Sequence, residues 1–235
     1  MADPLLEVVL NLSRFHRDHE QYYSQQPREQ AVMLQRHARA LTALADRWSA
    51  SLLSTQSTAA PFAGSEDLND PVALQLDGIL FMEGEGEPAE ILAVKKSLDD
   101  AGKQATATGE WLASAMESTW AAALTLIQYD ELADLLGERH RIIANDWQAA
   151  SMTSLVGRLL RRSVEVLEQV DFTPDALRAD LGGPRMTPRR LYAAVELVNR
   201  AADLLSDSAG LVHENERRWR VFHARVQELV DEHSR

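Results

Sequence analysis

The sequence predicts an all-α protein, an elongated antiparallel helical bundle of long heptad-patterned helices that opens with an N-terminal αα-hairpin. Three observations predict it. Apolar residues recur at alternating spacings of three and four over long stretches, the pattern of a helix face. No run of β-branched residues alternates as a strand would. Proline and glycine fall where helices should start and stop.

Asp3-Pro4 pairs a capping acceptor with proline at the first helical position and opens a helix over 4–24. Gln25-Gln26-Pro27 predicts a tight turn into a second helix over 28–54, so that residues 1–54 form a helical hairpin. Residues 55–69 are rich in Ser, Thr, Ala, Pro and Gly and read as a linker. Asp70-Pro71 opens a short helix over 71–82, and Glu83-Gly84-Glu85-Gly86-Glu87 follows as an acidic turn, making 55–87 an acidic linker with one short helix. Long helices fill 88 to 170, with Gly102, Gly109, Tyr129-Asp130 and Gly137 as candidate breaks. Thr173-Pro174 opens a short helix over 174–181 that stops at Gly182-Gly183-Pro184. Thr187-Pro188 then caps a long helix over 188–233. Residues 88–235 form the long-helix bundle, one elongated domain with the hairpin.

In the last helix Leu191, Val195, Val198, Ala202, Leu205, Ala209, Val212, Glu216, Trp219, His223, Val226 and Val230 keep an unbroken heptad alternation. At about 1.5 Å per residue that helix is about 70 Å long. Ile91, Val94, Leu98, Ala101, Ala105, Thr108, Leu112, Ala115, Thr119, Ala122, Leu126 and Tyr129 keep the same alternation in the central stretch. Small residues dominate the middle of that seam. They admit close helix approach but bury little apolar area each, which points to length or self-association as the source of stability.

The 235 residues carry a net charge of −12, concentrated in 61–100, where ten carboxylates meet two lysines. Basic residues cluster only briefly, as at Arg158, Arg161 and Arg162 or at Arg217, Arg218 and Arg220, which argues against a nucleic-acid partner. The absence of cysteine excludes disulfides, thiolate ligands and cysteine nucleophiles. Acidic Asp3 and Glu7 stand where a secretory leader would be basic, and no apolar run reaches the ~18 residues of a membrane span, so a cytoplasmic protein without a membrane partner is expected.

The richest candidate chemistry lies in FHRDHEQYY, Phe15 to Tyr23. At about 100° per residue, Leu5, Val9, Leu12, His16, His19, Glu20 and Tyr23 share one stripe. On the next segment Leu34, His37, Leu41, Leu44 and Trp48 share another. A turn at 25–27 sets His16 level with His37, so His16, His19, Glu20 and His37 could converge as nitrogen and oxygen ligands to zinc, iron or manganese, with Glu216 and His223 as further candidates. The alternative is a polar end to a packed core, hydrogen-bonded without a metal, and it is the favoured reading. His16-x-x-x-Glu20 is similar to one element of hemerythrin-like proteins, but the chain lacks their His-x-x-x-His pair and later His-x-x-x-x-Asp, and it lacks the Glu-x-x-His elements of ferritin-like di-iron bundles.

No phosphate loop, nucleophile elbow or dinucleotide fingerprint is present. Arg139 and Asp146, seven residues apart, are either buried polar contacts or solvated residues on a drifting face, the second reading being preferred. Trp111, Trp120, Trp147 and Trp219 read as core or interface anchors. The expected function is that of a non-enzymatic helical interaction, scaffold or adaptor protein that contacts a protein partner or a second copy of itself, without a cofactor. The alternative is a metal-binding helical bundle with oxidase or hydrolase activity.

Overall fold

The structure, a computed structural model, describes residues 4–58, 89–126 and 133–233, and every regular element among them is an α-helix. The order is α1 (Pro4–Thr58), α2 (Ala89–Leu126), α3 (Ala133–Glu168), α4 (Pro174–Gly182) and α5 (Met186–His233), packed in contact as a helix bundle. Most of the linker, the helix expected at 71–82, the acidic turn and the Tyr129-Asp130 junction lie outside the described residues. None of the described helices is long and apolar enough to cross a membrane.

The expected hairpin does not form: α1 runs unbroken from Pro4 to Thr58 with Pro27 inside it. A proline there forgoes one backbone hydrogen bond and strains the preceding turn. The buried face nevertheless continues through it, with Ser24, Pro27, Gln30, Ala31, Leu34 and Ala38 all buried at helical spacing. Gln104 on α2 also donates to Gln26 Oε1 at 3.0 Å, one residue before the proline. Packing along the whole stripe outweighs the local cost. The turn expectation rests on Gln25-Gln26-Pro27, and the polar Ser24 and Gln30 on either side hide the buried stripe that carries the helix through it.

Gly102 and Gly109 are likewise not breaks but buried positions inside α2, and Gly137 lies within α3. A Cβ on Gly109 would stand 2.8 Å from Thr153 Oγ1, 3.0 Å from Ser154 Oγ and 3.2 Å from the Ala150 carbonyl of α3. The glycine lets the two helices approach.

The described chain divides into two compact units, each drawing a segment from each long helix. Unit 1 comprises Met1–Val32, Lys103–Gly157 and Ala202–Arg235, and unit 2 comprises Met33–Gly102 and Arg158–Ala201. The core of unit 2 is apolar, with Leu34, Leu41, Leu44 and Trp48 of α1 buried together with Ile91, Val94 and Leu98 of α2 and Leu191 and Val198 of α5. Trp48 meets Phe172 edge-on at 5.9 Å.

Helix α4 begins as expected: Thr173 is its N-cap and accepts from Ala176 N, with proline following. Helix α5 does not. It starts at Met186, and the carboxylate of buried Asp180 on α4 supplies the acceptors, Oδ1 to Met186 N at 2.6 Å and Oδ2 to Thr187 N at 3.2 Å. The Thr187 hydroxyl instead donates to the Asp171 carbonyl. A cap delivered from a neighbouring helix leaves no local signature for sequence reading to find.

Candidate functional site

Most of the buried polar side chains among the described residues belong to unit 1. On α5, one line of residues spaced by seven, Leu191 to Val226, is wholly buried, and so is a second, Ala194, Ala201, Ser208, Asn215, Phe222 and Leu229. A third line is mostly covered, with Ala202, Ala209, Glu216 and Val230 buried and Val195 and His223 half-buried, so the stripe is wider than a two-position seam, as is usual for a helix surrounded by neighbours. That second line brings Ser208 and Asn215 into the core.

Asn215 organises the α3–α5 contact. Its amide donates to Asp146 Oδ1 at 2.7 Å and to the Ile142 carbonyl at 3.0 Å, while its oxygen accepts from Asn145 at 2.9 Å. Asp146 is 1% exposed and Arg139 is buried one heptad earlier, so the solvated reading of this pair is corrected. Asp146 Oδ2 has no hydrogen-bond partner among the described residues. Burial pushes the Asp146 carboxyl up to about 7, an effect that the Asn215 hydrogen bond partly opposes.

His16, in the fourth turn of α1, is 2% exposed and stacks on Trp219 of α5, with ring centroids 4.8 Å apart and planes at 10°. Trp111 of α2 is tilted against it at 6.3 Å, and Tyr23 stacks on Trp111 at 3.7 Å. Both His16 nitrogens and Trp219 Nε1 are buried without a partner among the described residues. Desolvation, with repulsion from His19, lowers the His16 pKa to about 4, so its ring is neutral at physiological pH.

The other sequence candidates are dispersed. His19 is exposed rather than on the core face, its ring stacked on Phe15 and its Nδ1 bonded to the Phe15 carbonyl at 2.8 Å. The Glu20 side chain lies outside the described residues. His37 belongs to unit 2, twenty-one residues beyond His16 on the same uninterrupted helix, and its Nε2 is hydrogen-bonded to Ser97 Oγ at 2.9 Å. The level register of His16 with His37 required the turn that does not form.

Glu216 is buried and holds Arg220 and His213 of its own helix. His223 pairs its Nδ1 with Ser13 Oγ at 2.9 Å. Because the Ser13 proton goes to the Leu10 carbonyl at 2.8 Å, the histidine donates. Burial and the nearby Arg17 and Arg14 charges lower the His223 pKa, and burial lowers that of His37. Among the described residues no three His, Asp or Glu side chains converge as a metal-ligand group.

On the surface of unit 1, Trp147 of α3 is 62% exposed. It lines a shallow open groove with His140, Ile143, Ala144 and Gln148. Trp48 and Trp219 are buried anchors and Trp111 is half-buried, so among the described tryptophan side chains Trp147 departs from the core reading. The side chain of Trp120 lies outside the described residues. The heptad count could have found Trp147, since it falls one residue past Asp146 and outside the buried spacing of α3. Nothing in the sequence marked Asn215, because its line on α5 reads Ala, Ala, Ser, Asn before it turns apolar.

In comparison with known proteins, the chain matches no family model, no curated protein and no solved structure.

Proposed function

We propose that the protein is a non-enzymatic helical interaction or scaffold protein that self-associates, with the Trp147 face of unit 1 as the contact. The observation that carries this reading is the exposed indole, flanked by Ile143 and Ala144 in a shallow groove. Tryptophan is among the residues most enriched at interface hot spots, and full burial of such a ring contributes on the order of 3 kcal/mol. Part of the polar core of unit 1 supports the same reading, because Asn215 is tied to Asp146 and to the Ile142 carbonyl, and Ser13 to His223.

Sedimentation equilibrium over a wide concentration range tests it. Wild-type protein is expected to associate and Trp147→Glu to remain monomeric. A wild-type mass that stays monomeric at every concentration would remove self-association from the proposal.

The alternative, a metal-binding bundle with oxidase or hydrolase activity, draws support from the unpartnered nitrogens of His16. Elemental mass spectrometry on untagged protein beside His16→Phe tests it: near-stoichiometric metal lost in the variant would replace the scaffold reading.

A further inference from the structure

Helix α3 carries two seams in unit 1. Arg139, Ile142, Asp146, Ala149 and Thr153 alternate spacings of three and four and are buried. Gly137, His140, Ala144, Trp147 and Ser151 alternate in the same way, and each of them is exposed. Such a spacing is that of a helix-pairing seam, here presented on the outward side.

The outward seam has two further properties. Charged residues make up 26% of the chain, yet from Ile142 to Gly157 the only one is Asp146, which is buried. More than four turns of α3 therefore face outward without a charge. Every seventh residue of the seam is also small: Gly137, Ala144 and Ser151. A Cβ built on Gly137 meets nothing within 4 Å, and the Ser151 hydroxyl donates to the Trp147 carbonyl at 2.9 Å, so its proton is already placed. Small residues let a second helix come close, and the bulk of the seam stands beside them at His140 and Trp147.

Charge limits what can cover this face. A nucleic acid, an anionic membrane or a charged peptide is held by opposite charges, and the face offers none. Two copies of a chain of net charge −12 repel each other, and the repulsion is least where the contact itself is neutral. Size then sets the orientation. A parallel pair brings like positions together and crowds one Trp147 against the other. An antiparallel pair sets the bulky line of each helix against the small line of its neighbour, so each indole fills a space the seam leaves open.

We propose that two copies pair through this face with their α3 helices antiparallel, Trp147 of each lying on Ala144 of the other about a twofold axis. This pairing rests on the self-association through Trp147 already proposed and fixes its orientation. His140 and Ser151 are then equally far from the axis and lie opposite each other.

The chain has no cysteine, so introduced cysteines report the contact without background. His140→Cys and Ser151→Cys, mixed as full-length proteins under mild oxidation, are expected to form a disulfide-linked dimer joining the two positions. Neither variant alone is expected to cross-link, because like positions stand about 16 Å apart along the axis, beyond the reach of a disulfide. Ala144→Trp puts two indoles in one layer and is expected to weaken association at least tenfold in sedimentation equilibrium, whereas Ser151→Ala, which stays small, should associate as wild type. Cross-linking of either cysteine variant with itself instead of the mixture, associated protein with no cross-link in any sample, or undiminished association of Ala144→Trp would each overturn the antiparallel pairing and leave self-association standing. Wild-type protein that stays monomeric at every concentration would remove both.

Discussion

His16 lies nearly parallel to Trp219, ring centroids 4.8 Å apart and planes 10° from each other, with both imidazole nitrogens lacking a hydrogen-bond partner among the described residues. One turn before Trp219 on α5, Asn215 holds Asp146, whose second oxygen is also unpartnered. A buried imidazole held neutral and a buried carboxyl pushed toward its neutral form thus belong to the same unit. Burial acts on both in the same way, against charge, but it moves their pKa values in opposite directions.

These shifts set opposing pH dependences. The Asp146 pKa rises from 3.8 to about 7, so the folded state holds a proton that the unfolded state releases, and stability is lost as pH rises from about 4 through 7, by roughly 4 kcal/mol. The His16 pKa falls from 6.5 to about 4, so its contribution is present above 6.5 and lost as pH falls through 4, by roughly 3 kcal/mol. Between about pH 4 and 6.5 the two slopes nearly cancel. Relative to wild type in urea titrations, Asp146→Asn is expected to gain stability as pH rises, and His16→Phe, which keeps a ring on Trp219, to lose it. Differences from wild type are the readout because His37 and His223 tilt every profile alike. Variants that track wild type in parallel across this window would show that neither group titrates as its burial implies.

The sequence made α5 and α2 legible because their buried faces are written in apolar residues at helical spacing. Every seam residue of α2 from Ile91 to Ala115 is buried. It made His16 legible as a core residue for the same reason. It misplaced His19, which sits three positions on and reaches solvent, because a stripe drawn on a wheel has no sharp edge. The hairpin was misread where burial is carried by Ser24, Pro27 and Gln30, residue types that say turn locally and become core only through their neighbours. Asn215 and Asp180 stayed hidden because their partners lie 69 and 6 residues away, on other elements.

The two glycines Gly109 and Gly210 are expected to respond oppositely to alanine. Glycine inside a helix costs about 1 kcal/mol against alanine, so Gly210→Ala, with nothing within 4 Å of the new Cβ, should stabilise by about 0.5–1 kcal/mol. At Gly109 the new Cβ meets Thr153 Oγ1 at 2.8 Å and the Ala150 carbonyl at 3.2 Å. The threonine cannot swing aside freely, since its hydroxyl bonds the Ala149 and Ala150 carbonyls. Separating the helices should cost more than the propensity gain, leaving Gly109→Ala about 1–2 kcal/mol less stable. Chemical denaturation decides it: stabilisation by both substitutions would mean that α2 and α3 are not closely packed at this level.

Asp180 and Thr187 provide a contrast between the cap that local sequence suggests and the one the fold uses. Asp180 accepts three hydrogen bonds, from Met186 N, Thr187 N and Trp48 Nε1, the last at 3.1 Å. Its removal uncaps α5 and leaves the indole N–H of buried Trp48 without its acceptor. A lost cap costs about 1 kcal/mol and an unsatisfied buried donor about 1–3 kcal/mol, so Asp180→Ala should destabilise by about 2–4 kcal/mol. Thr187→Ala forfeits only the long 3.4 Å bond to the Asp171 carbonyl and should cost about 1 kcal/mol or less. Were Thr187 the cap, as its position before Pro188 suggests, the order of the two effects would reverse. Urea unfolding of the two variants, followed by tryptophan fluorescence, separates the cases, and equal losses would leave Asp180 no more than a surface-like acceptor.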